Sequence, residues 1–155
     1  MNGTARLIVV WFNRLVLAAA TFIMTAIALR NLTNPMGATA PMDIVLGSPT
    51  AITLARVGLG GFPLGFAIVL LGCVISTDRL LTGLSMVAVV IGAATSARLE
   101  GLILDGATSF NLLLLRPELA LLTLSSIGIV LERRRRQSIR AEAGRATLPR
   151  FRSAH

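Results

Sequence analysis

From Leu80 to Ala97 the chain carries no charged side chain at all. Eighteen or more consecutive uncharged, mostly apolar residues mark a segment long enough to cross a bilayer as a helix, since a hydrocarbon core of about 30 Å needs about 20 residues at 1.5 Å each. This run, continued toward Leu104, fixes the class of fold before anything else is weighed. In lipid every backbone N–H and C=O has to be satisfied within the structure, so spanning segments are helices or closed barrels, and a run of this length is helical.

Three further runs resemble it. Leu7–Leu29 is interrupted by Asn13 and Arg14, which are expected to reach the near interface, with Trp11 and Phe12 beside them. A cleaved signal peptide is the competing reading; no small-x-small cleavage pattern precedes a soluble domain, and three spans follow, so a retained helix is expected. Ala51–Ile75 contains the single charge Arg56 and is preceded by Ser48 and Pro49, a cap and a first-turn proline. Ser76–Asp78 supplies the turn into the third helix. The fourth span is the shortest. Leu119–Leu131 is uncharged but covers only about 20 Å, so the span is taken from Pro117 to Arg136, with "FNLLLL" before it as an interfacial or re-entrant piece. A longer helix from near Phe110 is the alternative. The expected architecture is an all-α integral membrane four-helix bundle, residues 1–136, with helices at about 7–29, 50–75, 79–104 and 117–136. A basic tail, 137–155, follows as a helical extension that becomes mostly disordered.

Composition agrees: 14% of residues are charged, against about a quarter in soluble domains, and mean hydropathy is +0.78. There is no Lys, as a GC-rich genome would produce. Of the net +8, +6 lies between Glu132 and His155, where eight arginines face two glutamates. By the positive-inside rule the basic tail is expected in the cytoplasm, and an even number of spans puts the N-terminus there too; the location expected for this multi-pass chain is a bacterial inner membrane. Arg133, Arg134, Arg135 and Arg136 follow an apolar run directly, so they are expected to contact anionic lipid headgroups rather than nucleic acid. One cysteine, Cys73, and one histidine, His155, leave no disulfide and no metal-ligand set, and no cofactor is expected.

With that orientation the unusual residues gather on the outer side. Arg56 lies about 10 Å into the second helix. Arg98, Glu100 and Asp105 lie near the outer end of the third. Ionisable groups within a span are costly and face the bundle interior or a wet cavity. Arg56 and Arg98 are therefore candidates to line an outward pocket for an anionic or polar molecule, with Glu100 or Asp105 balancing them or relaying protons. The plainer reading is that each arginine pairs with a carboxylate, or reaches lipid phosphates, and holds the bundle. Nothing has the spacing of a catalytic triad, and no catalytic residue is assigned. "NLT" at Asn31–Thr33 fits a glycosylation sequon, a three-residue match that is frequent by chance.

The stretch "ARVGLGGFPLG", Ala55–Gly65, combines Arg56 with four glycines and Pro63. "GLGG" is no dinucleotide fingerprint, because no strand precedes it. Gly58, Gly61 and Gly65 are expected to form a helix-packing face, the last two at the small-xxx-small spacing. Pro63 is expected to kink the helix, and a discontinuous helix at a transport site is the sharper alternative.

Three elements carry a family resemblance: Pro49 with "R-x-x-x-G-G-x-x-x-G" from Arg56 to Gly65, "R-L-x-x-L-x-x-D-G" from Arg98 to Gly106, and "PELALL" from Pro117. On these the chain resembles a family of small bacterial four-span membrane proteins, domain of unknown function 4345, over most of Pro49–Leu131. The resemblance implies a four-helix membrane fold and assigns no activity. The function expected is that of a non-enzymatic accessory or scaffold subunit with membrane-protein partners. The alternative is a binder or carrier of a lipid or small anionic molecule.

Overall fold

The structure, a computed structural model, describes residues 2–146. Four of its helices are long and apolar enough to cross a membrane: α1 (Gly3–Thr33), α3 (Pro49–Ile75), α4 (Leu80–Leu104) and α5 (Ser109–Ala146). A short helix, α2 (Pro35–Thr39), begins the connection from α1 to α3. Among the described residues there is no strand.

α1 is the central helix, packed along α3 and also against α5 and α4. α5 lies along α4. The buried face of each helix follows the 3–4 spacing of helix packing. On α4 it runs Leu80, Leu84, Val87, Ile91, Thr95. The four apolar ones meet Val16, Leu17 and Ala20 of α1, Leu70 and Cys73 of α3, and Leu121 of α5 in one core. The helices approach most closely where a side chain is missing. A Cβ on Gly83 would stand 2.7 Å from the Cβ of Cys73, and one on Gly60 would stand 2.8 Å from the Leu32 side chain.

The fourth spanning helix differs from the expected one at both ends. It starts at Ser109 rather than Pro117, and it continues through Arg136 to Ala146. "FNLLLL" is thus neither interfacial nor re-entrant; it is the first part of α5. Pro117 sits inside the helix, where it removes one backbone bond without ending it. At 38 residues α5 is about 57 Å long, well beyond a hydrocarbon core of about 30 Å. Residues 137–146 of the expected tail are helical, and 147–155 lie outside the described residues.

The helical backbone of α3 runs through Pro63 without interruption. The turns before it, Arg56–Gly61, widen to π-helix, and the Phe62 N–H donates to the carbonyl of Val57, five residues back. A proline offers no N–H to the carbonyl four residues before it. The wide turn lies directly before the proline, within "RVGLGG".

Candidate functional site

Where α4 ends and α5 begins, Arg98 makes a bidentate ion pair with Glu118. Its Nε donates to Oε2 at 3.0 Å and its Nη2 donates to Oε1 at 2.7 Å, while Nη1 donates to Asn111 Oδ1 at 3.1 Å. Both partners are only about one-fifth exposed, at 21% and 16%. Asn111 and Glu118 are two turns apart on α5, so the early start of that helix is what puts them on one face. The α4–α5 connection closes tightly because Gly106 takes φ +91°, a left-handed conformation suited to glycine.

Two cavities flank this pair. One, of about 570 Å³, is lined by Pro41, Met42 and Asp43 from the α1–α3 connection, Leu59 from the π-helical turn, and Arg98, Asn111 and Leu114 among others. The other, of about 200 Å³, lies between α1, α4 and α5 and is lined by Ile23, Ile27, Ile91, Leu114, Pro117 and Glu118 among others. Leu114 lines both. The first is mixed in character and the second almost wholly apolar. Asp43 stands at the polar one with φ +56°, a left-handed conformation that aspartate tolerates better than most residues.

The expected site residues separate. Arg98 lines the polar cavity, but Arg56 does not join it. Arg56 is exposed and makes no hydrogen bond or ion pair among the described residues. Glu100 and Asp105 are exposed too, and neither contacts Arg98. The carboxylate that does is Glu118. Gly58, Gly61 and Gly65 are exposed with no close neighbour from another helix, and the close approach in that stretch belongs to Gly60.

The opposite end, where both described termini lie, holds a cluster that charge counting along the tail hides. Glu132 is fully buried and accepts from Arg135 Nε and Nη2 at 2.9 and 2.7 Å, and from Arg136 Nε at 2.9 Å. The buried Asn13 of α1 donates to it at 3.3 Å. Arg136 Nη2 donates to the carbonyl of Asp78 at 2.6 Å, and Arg14 Nη2 donates to Ile75 O and Thr77 Oγ1 at 3.3 and 3.2 Å. Arg6 pairs with Glu142 nearby. Of the four arginines expected at lipid headgroups, Arg135 and Arg136 therefore face inward, while Arg133 and Arg134 are exposed. The missed signal was spacing: Asn111, Leu114, Glu118, Leu121, Ser125, Gly128 and Glu132 repeat at alternating three and four, one continuous inward stripe of α5.

A family model described as Domain of unknown function (DUF4345) matches residues 12–127. The chain belongs to that family. No curated protein matches it, and no solved structure does. In this DUF4345 protein the matched region contains Arg56, Arg98, Asn111 and Glu118, whereas Glu132 and the arginines after it fall outside. Among the described residues no group of three His, Cys, Asp or Glu side chains is placed to hold a metal ion. The protein is a membrane protein of a family without an assigned activity.

Proposed function

We propose that this protein binds a neutral amphipathic molecule at the Arg98 end of the bundle. The observation that carries the reading is the Arg98–Glu118 pair standing between a polar and an apolar cavity that share Leu114. A head with an acceptor oxygen takes the guanidinium N–H groups that Glu118 and Asn111 leave open. A hydrocarbon tail fills the cavity between α1, α4 and α5. The charge already present favours a neutral head over the anionic one. Glu118 balances Arg98, and Asp43 adds a negative charge at the mouth, so a further anion meets no uncompensated cation. Arginine placement orients the bundle with both termini in the cytoplasm of a bacterial inner membrane, which opens the polar cavity to the outer side.

Mild-detergent extraction followed by native mass spectrometry and lipid analysis tests this. A neutral lipid should co-purify with the wild-type protein and be lost from Leu114→Trp, whose larger side chain intrudes on both cavities. Retention of the same lipid by a folded Leu114→Trp variant would refute it.

One observation favours the accessory-subunit reading as well. Gly58, Gly61 and Gly65 are exposed, so an external helix can approach α3 closely there. A Gly61→Leu/Gly65→Leu variant should then stay folded yet lose any co-purifying membrane partner. An unchanged complex on native sizing would set that reading aside.

A further inference from the structure

At the end of the bundle remote from Arg98, a cleft of about 230 Å³ is lined by Asp78, Arg135, Arg136, Ile139 and Arg140. We propose that this cleft is a binding site for one phosphate group, supplied by the phosphodiester of a bilayer lipid. It stands on observations separate from the Arg98 site.

Three features define its chemistry. The first is spare donor capacity. Arg135 uses Nε and Nη2 on Glu132, and Arg136 uses Nε on Glu132 and Nη2 on the Asp78 carbonyl, so both Nη1 groups have no hydrogen bond within the described protein. Arg140, one turn further along α5, is exposed and has no hydrogen bond or ion pair among the described residues. Guanidinium forks match phosphate oxygens in geometry as well as charge. The second is rigidity. Fully buried Glu132 holds two of the three guanidiniums, and the carbonyl of the α3–α4 turn fixes one of them again. Their side-chain entropy is spent in folding rather than on binding. The third is net charge. Three arginines stand against Asp78, which shares the lining, and Glu132, which binds two of them, leaving one positive charge, which a phosphodiester monoanion neutralises. Ile139 gives the cleft an apolar edge for the glycerol portion of a lipid.

The site is thus not the whole arginine run. Arg133 and Arg134 are exposed and do not line the cleft, and Arg140, four residues beyond the run, completes it.

The test uses the full-length protein, purified in detergent and stripped of lipid, then titrated with phosphatidylglycerol, with phosphatidylcholine and with inorganic phosphate, and read by native mass spectrometry. Saturable retention of one phosphatidylglycerol per chain is expected. Arg140→Gln should weaken it about fivefold, the equivalent of about 1 kcal/mol for one arginine at an anionic surface. Asp78→Asn should tighten it, since the backbone carbonyl that holds Arg136 is kept. Arg133→Gln/Arg134→Gln should leave the single-site affinity within about twofold, as long-range charge alone is screened. Retention of inorganic phosphate at one per chain, without lipid retention, would keep the phosphate site and overturn the lipid as its source. Equal loss in the Arg140 and the Arg133/Arg134 variants, or no retention of any probe, would overturn the site itself.

Discussion

Arg98 and Glu118 face each other across α4 and α5 as a two-bond pair, Nη2 to Oε1 at 2.7 Å and Nε to Oε2 at 3.0 Å. This pair decides how the Arg98 end of the bundle is built. It ties the last turns of α4 to the second turn-pair of α5, and it does so beside Pro117, where α5 lacks one of its own backbone bonds.

Breaking one member should cost more than removing both. Arg98→Met leaves Glu118 as an uncompensated carboxylate that is mostly shielded, and a loss of about 2–3 kcal/mol is expected, below the 3–5 typical of fully buried pairs because both groups keep some exposure. Arg98→Met/Glu118→Leu should recover much of it. A double-mutant cycle from reversible unfolding in mixed micelles measures the coupling; strictly additive losses would mean the pair is idle.

The second glutamate of the stripe should matter more. Glu132 lies fourteen residues after Glu118, about 21 Å along α5, and is fully buried among Asn13, Arg135 and Arg136. Glu132→Gln should destabilise the fold by about 3 kcal/mol. Arg6→Gln, which removes a peripheral partner of Glu142, should cost under about 1 kcal/mol. Comparing the two denaturation midpoints checks the ranking, and equal effects would contradict the buried role of Glu132.

Glycine substitutions should divide by neighbour rather than by motif. Gly83→Ala sets a Cβ 2.7 Å from that of Cys73, whose position is fixed by backbone, so α3 and α4 must part at a cost of about 1–3 kcal/mol. Gly128→Ala meets Asn13 Oδ1 at 2.8 Å and disturbs its bond to Glu132. Gly58→Ala and Gly65→Ala have open space and should be neutral or slightly stabilising in the isolated protein, by helix propensity. Thermal unfolding of the four variants in one detergent tests the division.

Cys73, 5% exposed at the α3–α4 contact, should report on that contact. A maleimide should label it slowly in the native protein and promptly after unfolding, and Gly83→Ala should speed native labelling. Fast labelling of the wild type would show the helices to be apart.

The spans were legible in the sequence because insertion into hydrocarbon depends on composition summed over some 20 residues, and no tertiary contact is needed to total it. The resemblance carried by "RLEGLILDG" and "PELALL" pointed to the family for a similar local reason: its motifs are short and contiguous. The start expected at Pro117 came from extending the uncharged run Leu119–Leu131 to a spanning length, whereas the alternative start near Phe110 is close to the observed Ser109; a proline inside a membrane helix is tolerated when neighbouring helices support the freed carbonyl. The partners were the part that sequence left open. Glu100 and Asp105 are nearer to Arg98 along the chain than Glu118 is, and the glycines of the small-xxx-small spacing looked like the packing face. Which carboxylate reaches Arg98, and whether Gly60 or Gly61 meets α1, is set by the rotation of each helix about its axis. A π-helical turn shifts the rotation of α3, and only the packed bundle fixes the rotation of each helix, because burying one stripe of each excludes every other rotation at once.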